Sequence, residues 1–257
     1  MHKSIKMRLA CAAGVALWAG SVAGAPVAQP YSEDFDDGVA DDFSASAGYT
    51  IQADSPSGNV YQAVVGSSSG GANATSAVQV TNVVGSAFAV GTEFTVDSFT
   101  AAGTSTLNLG LGILSTTADL SSGNQYRILY TLGTGGDTGK ITIQEGGTTR
   151  ATSTGVIPVT QDVPYFLKVE VTYSGSNPTI MAYLTQGASE ISATWTDTTT
   201  PFAGEFFGYR TAVNAVGGTV TENIDYDNFG VVPEPGSVGL LGAGAAGLLA
   251  RRRRRRA

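Results

Sequence analysis

The sequence predicts an all-β body folded as a two-sheet antiparallel β-sandwich of jelly-roll type, and three observations carry that expectation. Apolar residues alternate with polar ones over many short stretches, turn-forming residues separate the stretches, and the three-four spacing of an amphipathic helix is missing between residues 24 and 231. No fixed-period repeat announces a propeller or a solenoid. The body of about 208 residues is the length of one sandwich rather than of two packed domains.

Taken in chain order, the first element is an address. Lys3, Lys6 and Arg8 precede an apolar run from Leu9 to Val22 that ends in small residues, the order of a secretory signal peptide. The run is too short for an ordinary spanning helix. Cleavage after Ala23 fits the small-x-small triplet Ser21-Val22-Ala23, whereas cleavage after Ala25 would leave Pro26 next to the cut. Cys11 does not make a lipoprotein signal, because Arg8 sits where an aliphatic residue is needed and the apolar run follows the cysteine. Residues 1–23 are thus expected to engage the Sec translocon and signal peptidase as a helix and to be removed.

Within residues 24–231, Phe94 and Val96 share one face of a strand, as do Leu107, Leu109, Leu111 and Ile113. Tyr126, Ile128, Tyr130 and Leu132 repeat the pattern, followed by Ile141 and Ile143, and by Leu167, Val169, Val171 and Tyr173. Ile180, Ala182 and Leu184, then Val220, Ile224 and Tyr226, complete the series. Turns are expected at Ser67–Gly71, Gly133–Gly139, Ser174–Pro178 and Gly217-Gly218. The expectation is roughly ten to twelve strands.

The last 26 or so residues form a third unit. Val232-Pro233-Glu234-Pro235 leads into the apolar run Gly236–Ala250, then into Arg251–Arg256. The prolines deny the backbone a ladder hydrogen bond and keep Glu234 extended. A 15-residue helix at ~1.5 Å per residue spans about 22 Å, short of the ~30 Å hydrocarbon core, so residues 236–250 make a marginal anchor with the arginines held cytoplasmic. This ordered set resembles the PEP-CTERM sorting signal of Gram-negative bacteria. The resemblance implies recognition of Val232, Pro233, Glu234 and Pro235 by an exosortase, a membrane-embedded transpeptidase-like enzyme, in organisms that make exopolysaccharide. An inner-membrane-anchored precursor would then give a cell-surface or matrix product.

The body resembles the concanavalin A-like and laminin-G-like sandwiches at two places: Phe166–Tyr173 running into Thr179–Leu184, and Ile224–Val231. The resemblance implies a curved two-sheet fold often used to bind glycans or proteins.

Charge removes whole classes of function. Nine of the 14 Lys and Arg lie in the end segments, and the body carries 20 acids against five bases, a net of −15. Such a field repels phosphate backbones, so no nucleic acid is expected as a partner. The one His and one Cys, His2 and Cys11, lie in the signal segment. The mature body therefore has no thiol nucleophile, no histidine triad, and no His or Cys ligand for zinc or haem.

Carboxylates, hydroxyls and amides remain. Glu33, Asp34, Asp36, Asp37, Asp41 and Asp42 cluster at the start of the body, and Asp225 and Asp227 lie near its end. If the two ends of the chain are neighbours, Asp34, Asp36, Asp225 and Asp227 form an oxygen cage suited to structural calcium; otherwise the acids are a solvated edge that discourages strand-to-strand aggregation. Asp225 and Asp227 also have the spacing of a glycosidase pair, about 7 Å on one strand face. Laminarinase-like relatives of the fold add a third carboxylate, but here Glu222 falls on the opposite face. Trp195, with Tyr209 and Arg210, is the candidate glycan contact. Asn73-Ala74-Thr75 fits a glycosylation sequon, a match too common to build on. No catalytic residue is assigned. The expected function is that of a non-enzymatic, exosortase-processed surface or biofilm-matrix protein among exopolysaccharide, with a lectin-like glycan-binding module as the alternative and a carboxylate hydrolase as the third reading.

Overall fold

A computed structural model describes residues 26–54, 58–121, 123–133 and 137–233. The signal segment with Ala23, Glu234 and Pro235 of the sorting motif, the apolar run and the arginine tail lie outside the described residues.

Sixteen strands follow one another: β1 Val27–Ala28, β2 Tyr31–Glu33, β3 Ser44–Ala45, β4 Tyr49–Asp54, β5 Gly58–Ser67, β6 Gly70–Thr81, β7 Phe88–Thr100, β8 Thr106–Ser115, β9 Tyr126–Thr131, β10 Ile141–Glu145, β11 Thr148–Thr152, β12 Pro164–Ser174, β13 Asn177–Gln186, β14 Ser189–Thr196, β15 Phe206–Ala215 and β16 Val220–Pro233. Among the described residues there is no helix. The first sheet runs β1-β6-β15-β8-β9-β10-β11 with β3 also on β6, and the second runs β14-β13-β12-β7-β16-β5-β4 with β2 also on β16. Every pairing between named strands is antiparallel except β1 with β6. The excess over ten to twelve strands includes β1, β2 and β3, pieces of two or three residues in which alternation has no room to show.

The two ends of the body do meet: Tyr31, Ser32 and Glu33 of β2 pair with Val231, Gly230 and Phe229 of β16. This is the return path of a jelly roll, which brings the last strand beside the first.

The inward residues are the alternating sets read from the sequence. Leu107, Leu109, Leu111 and Ile113 of β8 pack with Tyr126, Ile128 and Tyr130 of β9, and face Leu167, Val169 and Val171 of β12 with Ile180, Ala182 and Leu184 of β13 from the other sheet. Near the chain ends the core becomes aromatic. Tyr209 and Tyr226 face each other across the two sheets with ring centroids 4.2 Å apart, and Tyr49, Tyr61, Phe35, Phe43 and Phe229 pack around them. Buried tyrosine hydroxyls need partners. Thr211 Oγ1 lies 3.1 Å from Tyr49 Oη and 2.9 Å from Tyr226 Oη, and Thr92 Oγ1 lies 3.2 Å from Tyr209 Oη.

Candidate functional site

Three places hold the residues singled out by the sequence: the chain-end acidic loop, the rim around Trp195, and the outer face of the first sheet.

Three carboxylates of the acidic loop, those of Glu33, Asp34 and Asp37, bond to the loop's own backbone. Glu33 Oε1 accepts from Phe35 N at 2.8 Å and its Oε2 from Asp41 N at 3.1 Å; Asp34 Oδ1 accepts from Asp36 N, and Asp37 Oδ1 from Val39 N. Asp36 is tied to Asn59, whose side chain donates to the Asp36 carbonyl at 2.8 Å. On β16, Asp225 Oδ1 accepts from Gln62 Nε2 at 2.9 Å, while Asp227 Oδ1 accepts from Asn228 N at 2.7 Å. Asp34, Asp36 and Asp227 share a neighbourhood: burial, then the charges of Glu93, Asp36 and Asp34, raise the Asp227 carboxyl, with the Asn228 N–H opposing. Yet among the described residues no three carboxylates form a group that could hold a metal ion. In the folded chain Asp34, Asp36, Asp225 and Asp227 close turns and strand contacts.

The candidate glycan contacts Trp195 and Tyr209 both lie against the core, to different depths. Trp195 is partly buried against the core, its ring edge-on to Tyr126 at 5.9 Å and covered by the Arg150 guanidinium at 5.8 Å. Its flank is built rather than open. Asp197 is buried beside it; burial works to raise this carboxyl, but bonds from Tyr126 Oη at 2.7 Å and from Thr199 N and Oγ1 prevail and hold it low. Tyr209 is wholly buried in the aromatic core, because odd-numbered residues of β15 face inward.

Arg210, one residue on, faces outward, and there the structure does form a depression. It measures about 330 Å³ and is lined by Asn73 of β6, Asn108 of β8, Leu129 of β9, Gln144 of β10, and Arg210 and Asn214 of β15. The strand register explains the convergence: Arg210 pairs across to Thr75 and Gly110, Gly110 to Leu129, and Ala212 to Asn73 and Asn108. Gly110 has φ +156°, and a side chain there would drive its Cβ to 1.9 Å from the Ile128 carbonyl oxygen. Glycine thus lets β8 and β9 approach and leaves room above for Arg210. Thr131 Oγ1 donates to Asn108 Oδ1 at 2.9 Å and orients that amide. Arg127 lies on the same face, its Nη2 donating to the Ser121 carbonyl at 2.8 Å. Burial, then the Arg127 charge, lowers the Arg210 guanidinium to about 10, still cationic at neutral pH. From sequence, Arg210 stood out only as a neighbour of Tyr209 and Asn73 only as part of a sequon; Asn108, Gln144 and Asn214 gave no signal, being ordinary polar positions until five strands bring them together.

The sorting motif begins inside the sheet. Val231 is buried, and Val232 and Pro233 remain in register with Ala89 and Phe88 of β7. The missing proline N–H ends the ladder there.

Residues 231–255 match the PEP-CTERM protein-sorting motif. No curated protein matches the chain at the sequence level. Among solved structures, a winged bean acidic lectin complexed with methyl-α-D-galactose is 9% identical, covering 79% of this chain and 99% of its own, with a TM-score of 0.47. The carbohydrate recognition domain of Emp47p is 11% identical over 77% of this chain and 95% of that one, with a TM-score of 0.49. A Bacillus subtilis protein with a galectin-like fold is 11% identical over 79% and 94%, with a TM-score of 0.47. The chain is thus an antiparallel jelly-roll sandwich whose C-terminus carries the PEP-CTERM sorting signal of exported, exosortase-processed proteins.

Proposed function

We propose that this protein is a non-enzymatic component of the cell surface or extracellular matrix, delivered through the Sec route, held briefly in the inner membrane, and freed or transferred by exosortase to act among exopolysaccharide. The observation that carries the reading is the sorting match over residues 231–255, joined without a separate linker to the last strand of a complete sandwich. Carboxylate hydrolysis has less support: Asp225 and Asp227 are engaged by Gln62 and Asn228, and Glu222 is buried among inward-facing residues of β16. Replacing Glu234 with Ala should leave export intact and trap a precursor that retains Arg251–Arg256 in the inner-membrane fraction, read by intact mass. Unchanged removal of the tail would overturn the reading.

The glycan-binding alternative has its own support in the depression around Arg210. Amides and a guanidinium offer the donors and acceptors that sugar hydroxyls need.

A further inference from the structure

We propose that the depression on the outer face of the first sheet binds a glycan bearing uronic acid, with Arg210 receiving the uronate carboxylate and the flanking amides receiving the sugar hydroxyls. The inference rests on the glycan-binding reading and specifies its ligand.

Charge is the first argument. The body carries 20 acids against five bases, yet two of those bases, Arg127 and Arg210, stand close together on one face. Arg210 belongs to no ion pair among the described residues, and its Nε is buried with no hydrogen-bond partner. Its surroundings are accounted for from every side. Arg127 is the neighbouring cation, Asp119 exerts its field on Arg127, and Tyr49 and Glu222 act on Arg210 from the core side of the sheet. No carboxylate lines the depression itself. A guanidinium held in this way is an unfilled anion receptor, and its planar fork matches a carboxylate.

Composition of the walls is the second argument. Asn73, Asn108, Gln144 and Asn214 each combine a donor and an acceptor, the pairing that vicinal hydroxyls require, and Leu129 supplies an apolar patch for a ring face. A volume of about 330 Å³ is at the small end of ligand sites, suited to one or two sugar rings.

The body's net charge of −15 selects between anions. A dense polyanion is repelled at long range, whereas a carboxylate spaced out by neutral sugars brings one charge to one receptor. The occupant is therefore a chain in which uronate alternates with uncharged residues.

The test is calorimetric titration of the full-length protein in mild detergent with a hexasaccharide of alternating glucuronate and N-acetylglucosamine, against neutral chitohexaose. The uronate sugar should bind at least tenfold tighter, and added salt should narrow the gap. Arg210→Ala should lower its affinity tenfold or more, Arg210→Lys less, and the exposed Asn214→Ala a few-fold. Lysine retains the charge and Asn214 is exposed, so these two variants keep the test decisive should the alanine at 210 fail to fold. Equal affinity for the two sugars, or an affinity indifferent to Arg210→Lys and Asn214→Ala, would overturn the carboxylate role. Absence of binding to either sugar would overturn the site. Removal of the arginine tail, followed by mass in the same preparations, reports on the sorting reading separately.

Discussion

On the outer face of the second sheet, Asp227 of β16 stands directly across from Glu93 of β7, with Asp225, Asp97 and Glu170 also outward and Lys168 paired to Glu170. On the outer face of the first sheet, Arg210 stands across from Gly110, with Arg127 nearby and amides around it. Both faces come from the same alternation, in which every second residue points away from a shared core. Their chemistry differs because carboxylates line the one and amides with arginines the other. Like charges across a strand pair are tolerable where water screens them, and they keep the sheet from pairing with copies of itself. Arginine in a depression cannot be solvated as well, so its neighbours must be small or hydrogen-bonding.

Three experiments would break or sharpen this contrast. The largest effect is expected at the glycines. Gly110→Ala forces a Cβ to 1.9 Å from a carbonyl oxygen at a φ of +156°, whereas Gly91→Ala on the other face meets nothing closer than Phe166 Cζ at 3.2 Å on a half-exposed ring. Urea unfolding should show a loss on the order of 3–5 kcal/mol, or no soluble protein, for the first and under about 1 kcal/mol for the second. Equal losses would mean that the two faces are equally permissive.

The second effect lies beneath the Arg210 face. Glu222 faces the core, and burial, opposed by the Arg210 charge and the Ala212 backbone N–H, holds its pKa well above 4.5. A raised carboxyl means that the folded state binds the proton more tightly than the unfolded one. Stability therefore falls as pH rises above about 4.5 toward the folded pKa. Glu222→Gln should raise the melting midpoint at pH 7–8, with a gain on the order of 1–3 kcal/mol. That corresponds to roughly 2–4 °C per kcal/mol in a domain of this size. The advantage should vanish below about pH 4, where the wild-type side chain is protonated in both states. A variant less stable than wild type at pH 8 would show that the field of Arg210 outweighs the burial of Glu222.

The smallest effect belongs to the carboxylate face. Asp227→Asn removes the like-charge pair with Glu93 and should stabilise by a few tenths to about 1 kcal/mol at neutral pH. The Asp227 carboxyl is also raised, so the wild type regains this deficit as the pH falls below about 4 and the difference disappears. Millimolar calcium should leave the midpoints of both proteins where chelator leaves them; a rise of several degrees confined to wild type would place a metal at these acids.

Strand identity was legible wherever a face is apolar on both sides of a turn, as in β8, β9, β12 and β13, because burial of one face imposes period two on the residues. It was not legible in β1, β2 and β3, which are held by the partner strand rather than by their own pattern. Even Glu222 announced itself by parity alone, since it falls in step with Val220, Ile224 and Tyr226. The acidic loop and Tyr209 show the limit. Six acids within ten residues look like a cage, but hydrogen bonds from Phe35, Asp36, Val39 and Asp41 N–H groups decide where they point. Likewise Tyr209 and Arg210 read as one contact surface, although successive residues of a strand go to opposite sides of the sheet. The Arg210 depression depends on register across five strands, which no local pattern carries.

The register of β16 has a mechanical consequence. Pro233 is still aligned with Phe88, and the apolar run of the sequence starts at Gly236, so only Glu234 and Pro235 separate the two, a reach of at most about 10 Å in three steps of ~3.3 Å. The Debye length at physiological ionic strength is about 8 Å. On the sorting reading proposed above, the anchored precursor would hold a body of net charge −15 within little more than a Debye length of the lipid. Cutting this short connection would then let any repulsion between body and membrane carry the body outward, with a push that grows as salt is removed.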